Sequence, residues 1–160
     1  MLLNLQVKNL ALIEKAEVSF SEGLNILTGE TGAGKSIIIG SVNMALGGKT
    51  SRDMIRQGAD YAYVELVFSV DDPVKRKRLE ELDLDLPEDG TIIISKKIMP
   101  TRSLSKINDE TVTTGRLKEI TSLLIDIHGQ HEHQSLLYKS KHLQILDAYA
   151  RSQTQPLKEK

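Results

Sequence analysis

Residues Gly29-Glu30-Thr31-Gly32-Ala33-Gly34-Lys35-Ser36 satisfy the pattern G-x-x-x-x-G-K-[ST] in full. The residues before it, Leu24-Asn25-Ile26-Leu27, read as a buried strand, and residues 37–46 read as a helix. A strand, a glycine-rich turn and a helix in that order form a phosphate-binding loop. Each residue type has a physical task there. Gly29, Gly32 and Gly34 let the backbone N–H groups converge with no Cβ in the way of a phosphate. The following helix adds the positive end of its dipole. Lys35 supplies a point charge for the β- and γ-phosphates, and the Ser36 hydroxyl is suited to ligating Mg²⁺.

Two short alternating runs precede the loop, Leu3-Asn4-Leu5-Gln6-Val7 and Ala16-Glu17-Val18-Ser19-Phe20. Each reads as a strand with one wet face, so an antiparallel β piece feeds a parallel core. After the loop helix, Gly47-Gly48 supplies a stop. Residues 49–59 are polar and basic, with Arg52 and Arg56 four apart and on one face if that stretch is helical. Residues 61–70 alternate well and predict a strand. Asp71-Asp72-Pro73 then opens a charged helix to about Leu82, whose run Lys75-Arg76-Lys77-Arg78 reads as a solvated face. Residues 91–99 predict a strand, and residues 102–107 pair with Thr111-Val112 through a turn at Asn108-Asp109-Glu110. Thr113 or Thr114 caps a helix to about Ser122. Residues 123–127, nearly all apolar, predict a buried parallel strand, and residues 136–150 a further helix.

Bulk composition narrows the function classes. The chain has 160 residues, 39% hydrophobic and 27% charged, enough for one compact domain. With 4% aromatic residues and no tryptophan, its core must be mostly aliphatic. A net charge of −1 gives no global field favouring nucleic acid. Absence of cysteine removes disulfides, thiolate metal sites and cysteine nucleophiles. No apolar run is long enough to span a membrane and no signal sequence opens the chain, so a cytoplasmic location without membrane contact is expected.

Three of the four histidines, His128, His131 and His133, crowd a polar stretch opened by Gly129. Their offsets of three and two do not match a zincin helix, and the deaminase pattern needs cysteines. The stretch reads instead as a loop leaving the carboxyl end of a core strand, where ligands bind in open α/β sheets. A glutamine there can reach a Mg²⁺ shell or an attacking water. A solvated surface loop is the plainer alternative. An acid on a second strand for Mg²⁺ is not evident: Asp126 and Asp147 follow apolar residues without persuasive surroundings. There is no Asn-Lys-x-Asp guanine-reading motif and no Ser-Gly-Gly signature.

Three stretches together resemble the RecN family of bacterial DNA repair proteins: residues 5–13, the loop from Thr28 to Ser36, and the run Ile125-Asp126-Ile127-His128-Gly129-Gln130-His131-Glu132-His133-Gln134. Ala45-Leu46-Gly47-Gly48 and Leu146-Asp147-Ala148-Tyr149-Ala150 look like the same family. That resemblance implies an α/β P-loop NTPase fold, lobe I of an ABC/SMC-type head, with an antiparallel β subdomain and a parallel core sheet. Residues 1–150 would be the N-terminal half of a head split by a coiled coil, and residues 151–160 the start of a linker towards it. It implies ATP and Mg²⁺ as cofactors, with Gly29, Glu30, Thr31, Gly32, Ala33, Gly34, Lys35, Ser36 and Ile37 around the nucleotide. Gln130 matches the Q-loop glutamine, sharing the metal with Ser36 and the catalytic role with Lys35. Arg56, or Arg52 in its place, matches a basic residue reaching the phosphates. The implied activity is ATP hydrolysis in DNA double-strand break repair and recombination. The implied partners are DNA, the C-terminal half of the same head, and a second head across sandwiched ATP; a nucleoid-associated place in the cytoplasm follows. Two other functions fit the residues alone, a small P-loop kinase using Asp126, or a non-enzymatic module held together by nucleotide.

Overall fold

The computed structural model describes residues 1–28 and 32–125, which fall within one compact unit. Its strands follow from period-two alternation. They are β1 (Leu2–Leu10), β2 (Ile13–Ser19), β3 (Ala62–Ser69), β4 (Thr91–Ile98), β5 (Ser103–Ile107) and β6 (Glu110–Val112). They form one sheet in the order β2-β1-β3-β4-β5-β6, and every described ladder is antiparallel. In β3, buried Ala62, Val64, Leu66 and Phe68 alternate with half-buried Tyr63, Glu65, Val67 and Ser69. Leu5 and Val7 of β1 and Ile92 and Ile94 of β4 continue the buried face. Each such aliphatic or phenyl side chain contributes about 1.5–3 kcal/mol on burial, so that face is the core.

Three helices accompany the sheet: α1 (Gly32–Ala45), α2 (Pro73–Glu80) and α3 (Thr114–Leu124). Ile38, Ser41, Val42 and Ala45 form the buried side of α1, which contacts β3 and β4. Leu117, Ile120 and Thr121 are the buried side of α3, which contacts β5 and α2. The Thr121 hydroxyl reaches the Leu46 carbonyl at 3.4 Å and links α3 to the end of α1. Asp72 caps α2 by accepting from the Val74 N–H at 2.9 Å, with Pro73 in its first turn. Of the two threonines expected to cap α3, Thr113 does so, accepting from the Arg116 N–H at 3.3 Å.

Several expectations are corrected. Residues 24–27 join no described ladder, and Leu24, Ile26 and Leu27 are 85%, 73% and 41% exposed. A buried strand needs neighbours on both sides, and no described strand lies beside this one. Local bonds shape the approach to it: the Asn25 amide accepts from the Ser21 N–H at 3.1 Å and donates to the Ser21 carbonyl at 2.8 Å. Leu123 and Leu124, both half-buried, belong to the last turn of α3 rather than to a strand, and only Ile125 turns extended. The remaining two residues of that expected strand lie outside the described residues, as does the helix expected at 136–150. The helical part of residues 49–59 is a 3₁₀ turn at Arg52–Met54, capped by Ser51, so Arg52 and Arg56 share no helix face.

Candidate nucleotide-binding site

The loop helix starts earlier than its sequence suggests. Glycine disfavours helix interiors, which placed the expected start at Ile37, yet α1 begins at Gly32. The first four N–H groups of any α-helix lack an intrahelical acceptor. Here they belong to Gly32, Ala33, Gly34 and Lys35, inside the motif itself. Donors without an intrahelical acceptor and the dipole's positive end therefore coincide with the residues the pattern assigns to phosphate. Lys35 and Ile37 are half-buried and Ser36 is exposed, one turn from the helix start. These residues fit a nucleotide's phosphates and a Mg²⁺ ion in donor type and position.

The far end of α1 is fixed just as definitely. Gly48 donates to the Asn43 carbonyl at 3.0 Å and Gly47 to the Met44 carbonyl at 3.2 Å, a Schellman pair. Gly47 has φ +101°, and a Cβ there would lie 2.9 Å from Lys118 Cγ. Ser41, fully buried, satisfies its hydroxyl on the Ile38 carbonyl at 2.7 Å. The helix that presents the donors is thus held along its length by core contacts.

Arg56 sits in a tied corner. Its Nη1 donates to the Leu12 carbonyl at 2.8 Å and its backbone N–H to the Asn9 carbonyl at 2.9 Å, while Ala11 N–H donates to Met54 at 2.7 Å. Arg52 is exposed in the 3₁₀ turn. Gly29, Glu30, Thr31 and Gln130 lie outside the described residues, as do the three clustered histidines, Asp126 and Asp147.

One cluster escaped the sequence reading. Cross-strand register aligns Lys15, Lys8, Tyr63 and Lys97 in one row on the outer sheet face. Tyr63 and Lys97 fall in expected strands, while Lys8 and Lys15 lie just outside the two N-terminal runs, and only the strand order brings the four together.

The AAA domain family matches residues 4–160. The chain belongs to that family. It is also 44% identical over 153 residues to the DNA repair protein RecN of Halalkalibacterium halodurans, covering 94% of this chain and 27% of that protein. Against the DNA repair protein RecN of Bacillus subtilis identity is 42%, covering 94% of this chain and 26% of that protein. The chain therefore spans about a quarter of the length of the curated relatives it matches. The resemblance to RecN drawn from the sequence is borne out over almost the whole chain. Among solved structures, one from work on ATP-driven dimerization and DNA-stimulated activation of SMC ATPases superposes with a TM-score of 0.66 at 20% identity, covering 91% of this chain and 97% of that one. The fold is that of a P-loop NTPase head of the SMC type, as expected.

Proposed function

We propose that this chain is the ATP-binding N-terminal half of the head of a RecN-type ATPase that acts in DNA double-strand break repair and recombination. The observation that carries the reading is the start of α1 within the phosphate-loop motif, which aligns the positive end of its dipole with the glycine-rich residues that the pattern assigns to phosphate. Residues 29–37 hold the ATP phosphates, with Lys35 as the charge and Ser36 as the Mg²⁺ ligand. Bound ATP–Mg²⁺ supplies the phosphoryl group to be hydrolysed. Gln130 positions water or metal at its γ-phosphate end, and Arg56, once released from Leu12, is the candidate for further phosphate contact.

Residues 1–150 make up the half-head, and residues 151–160 lead towards a coiled coil. The exposed Leu24, Ile26 and Leu27 support a missing neighbour on that side, supplied by the C-terminal half of the same head. Two such heads sandwich ATP and engage DNA, a reading supported by the ATP-driven dimerization and DNA-stimulated activation of the SMC ATPases that share the fold. The protein works at the nucleoid in the cytoplasm. Among the described residues no helix is long and apolar enough to cross a membrane.

Titration calorimetry of ATP–Mg²⁺ onto wild type and Lys35→Ala tests the reading. Loss of a charge-assisted bond should weaken binding by about 1.5–3 kcal/mol, roughly 10- to 150-fold; equal affinities would refute it. In the full-length protein, Gln130→Ala should keep ATP affinity within a few-fold but slow steady-state hydrolysis about 10-fold or more. An unchanged rate returns residues 128–134 to a solvated loop.

A further inference from the structure

We propose that the outer sheet face at Lys8, Lys15, Tyr61 and Lys97 binds the phosphate backbone of a DNA strand. The inference rests on the DNA-acting reading above and assigns it a surface. Lys8 pairs with Lys15 across β1 and β2, and Tyr63 of β3 pairs with both Lys8 and Lys97. With Gln6 and Tyr61, these side chains line a concavity of about 330 Å³.

The charges there are organised. Lys97 Nζ lies 4.2 Å and Lys8 Nζ 5.8 Å from the Tyr61 ring centroid, so one aromatic face gathers two ammonium groups. None of Lys8, Lys15 and Lys97 pairs with a carboxylate among the described residues. Two acids on that face, Glu65 and Glu17, bond to neutral groups rather than to these lysines: Glu65 accepts from the Tyr63 hydroxyl at 2.5 Å, and Glu17 from the Asn4 amide at 3.3 Å. Burial and the Glu65 bond push the Tyr63 phenol up to about 12, so it adds no negative charge at neutral pH.

Edge protection explains a lysine on an edge strand. It accounts for Lys15 on β2 but not for Lys8 or Lys97, whose strands are interior. Strand spacing puts the two ends of the row, Lys15 and Lys97, roughly 14 Å apart. A single phosphate cannot bridge that distance, whereas an extended polyanion can. DNA phosphates complement the row in sign and length.

The test uses the full-length protein carrying Lys8→Gln, Lys15→Gln and Lys97→Gln together. Binding to labelled single-stranded and duplex oligonucleotides is followed by anisotropy over a salt series, with ATP affinity measured on the same samples. The triple variant should bind at least 10-fold more weakly, and its slope of log affinity against log salt should become shallower by about 2–3. Its ATP affinity should stay at the wild-type value. Lys77→Gln with Arg78→Gln, on the exposed side of α2, should leave the slope unchanged. Tyr61→Phe should keep binding and Tyr61→Leu should weaken it. Wild-type affinity and slope in the triple variant would overturn the assignment, as would an equal loss in the α2 variant. A wild-type protein that binds ATP but neither oligonucleotide would refute the DNA-acting reading itself.

Discussion

The Arg56 guanidinium donates to the Leu12 carbonyl at 2.8 Å, binding the segment after the 3₁₀ turn to the tip of the β1–β2 hairpin. The tip itself is strained, with Asn9 at φ +53° and Ala11 at φ +49°. Both residues flank or join β1 near the point where Leu10 also bridges to Ile55. The Arg56 bond therefore helps hold a backbone conformation that l-residues rarely adopt.

Arg56→Ala should lower stability by about 1–2 kcal/mol in urea unfolding, the scale of a hydrogen bond to a charged donor. Arg52→Ala, at an exposed position of the 3₁₀ turn, should change it by less than about 0.5 kcal/mol. Equal effects would show that the Leu12 contact contributes nothing.

The β5–β6 turn places Asn108 at φ +46° and Asp109 at φ +68°, the type I′ geometry that favours glycine at its second position. Asp109→Gly should therefore stabilise by a few tenths to about 1 kcal/mol. Asn108 does more than turn: its Oδ1 accepts from the Ile93 N–H at 2.9 Å and its own N–H donates to the Ile93 carbonyl at 2.9 Å. Asn108→Ala should cost about 1–2 kcal/mol. Thermal unfolding of both variants checks the opposite signs.

Much of this was legible because it depends on local pattern. The strands around Val64 and Ile94 alternate with period two, and the Asp72 and Thr113 caps are set by side chains next to the helices they start. Residues 24–27 were misread because an apolar run shows that burial is wanted, not which chain segment supplies it. Leu123 and Leu124 were misread because a short apolar run suits either element; the 117–120–121 spacing decides for helix. At the candidate site, the motif nominates Lys35 and Ser36, but glycine's low helix propensity hid that α1 starts at Gly32. The Lys8–Tyr61–Lys97 cluster was illegible for a different reason: its members come from separate strands, and only register joins them.

Gly90 has φ +69°, and a Cβ there would stand 2.6 Å from the Val70 carbonyl oxygen, while the Val70 N–H, just past β3, donates to the Gly90 carbonyl at 3.0 Å. Gly90→Ala thus meets both strain and a backbone clash that no rotamer relieves. A loss of about 1–3 kcal/mol is expected from the backbone conformation alone, read as a lower urea midpoint. An unchanged midpoint would mean the turn re-forms elsewhere.

Lys96 is the charged residue on the core face, only 4% exposed, opposite Val64 and Ser105. Burial, and then the nearby charge of Lys118, lower its pKa from the ordinary 10.5. No carboxylate pairs with it among the described residues. The sign follows directly: when the folded pKa is the lower one, the unfolded chain binds more protons between the two values, so stability rises with pH across that window. Below it both states are protonated and the whole cost of partly desolvating the ammonium applies. Lys96→Met keeps the stem's volume and removes the charge. It should therefore stabilise at pH 7 by on the order of 1 kcal/mol. That advantage over wild type should shrink as pH rises through the lowered folded value towards 10.5, above which the lysine is neutral in both states. Lys118→Gln should give a smaller gain of the same sign, because it removes only the second cause. Urea unfolding of the three proteins at pH 7 and pH 10 is the measurement. A variant less stable than wild type at pH 7, or an advantage that does not shrink, would show that the ammonium is favourably bound where it lies.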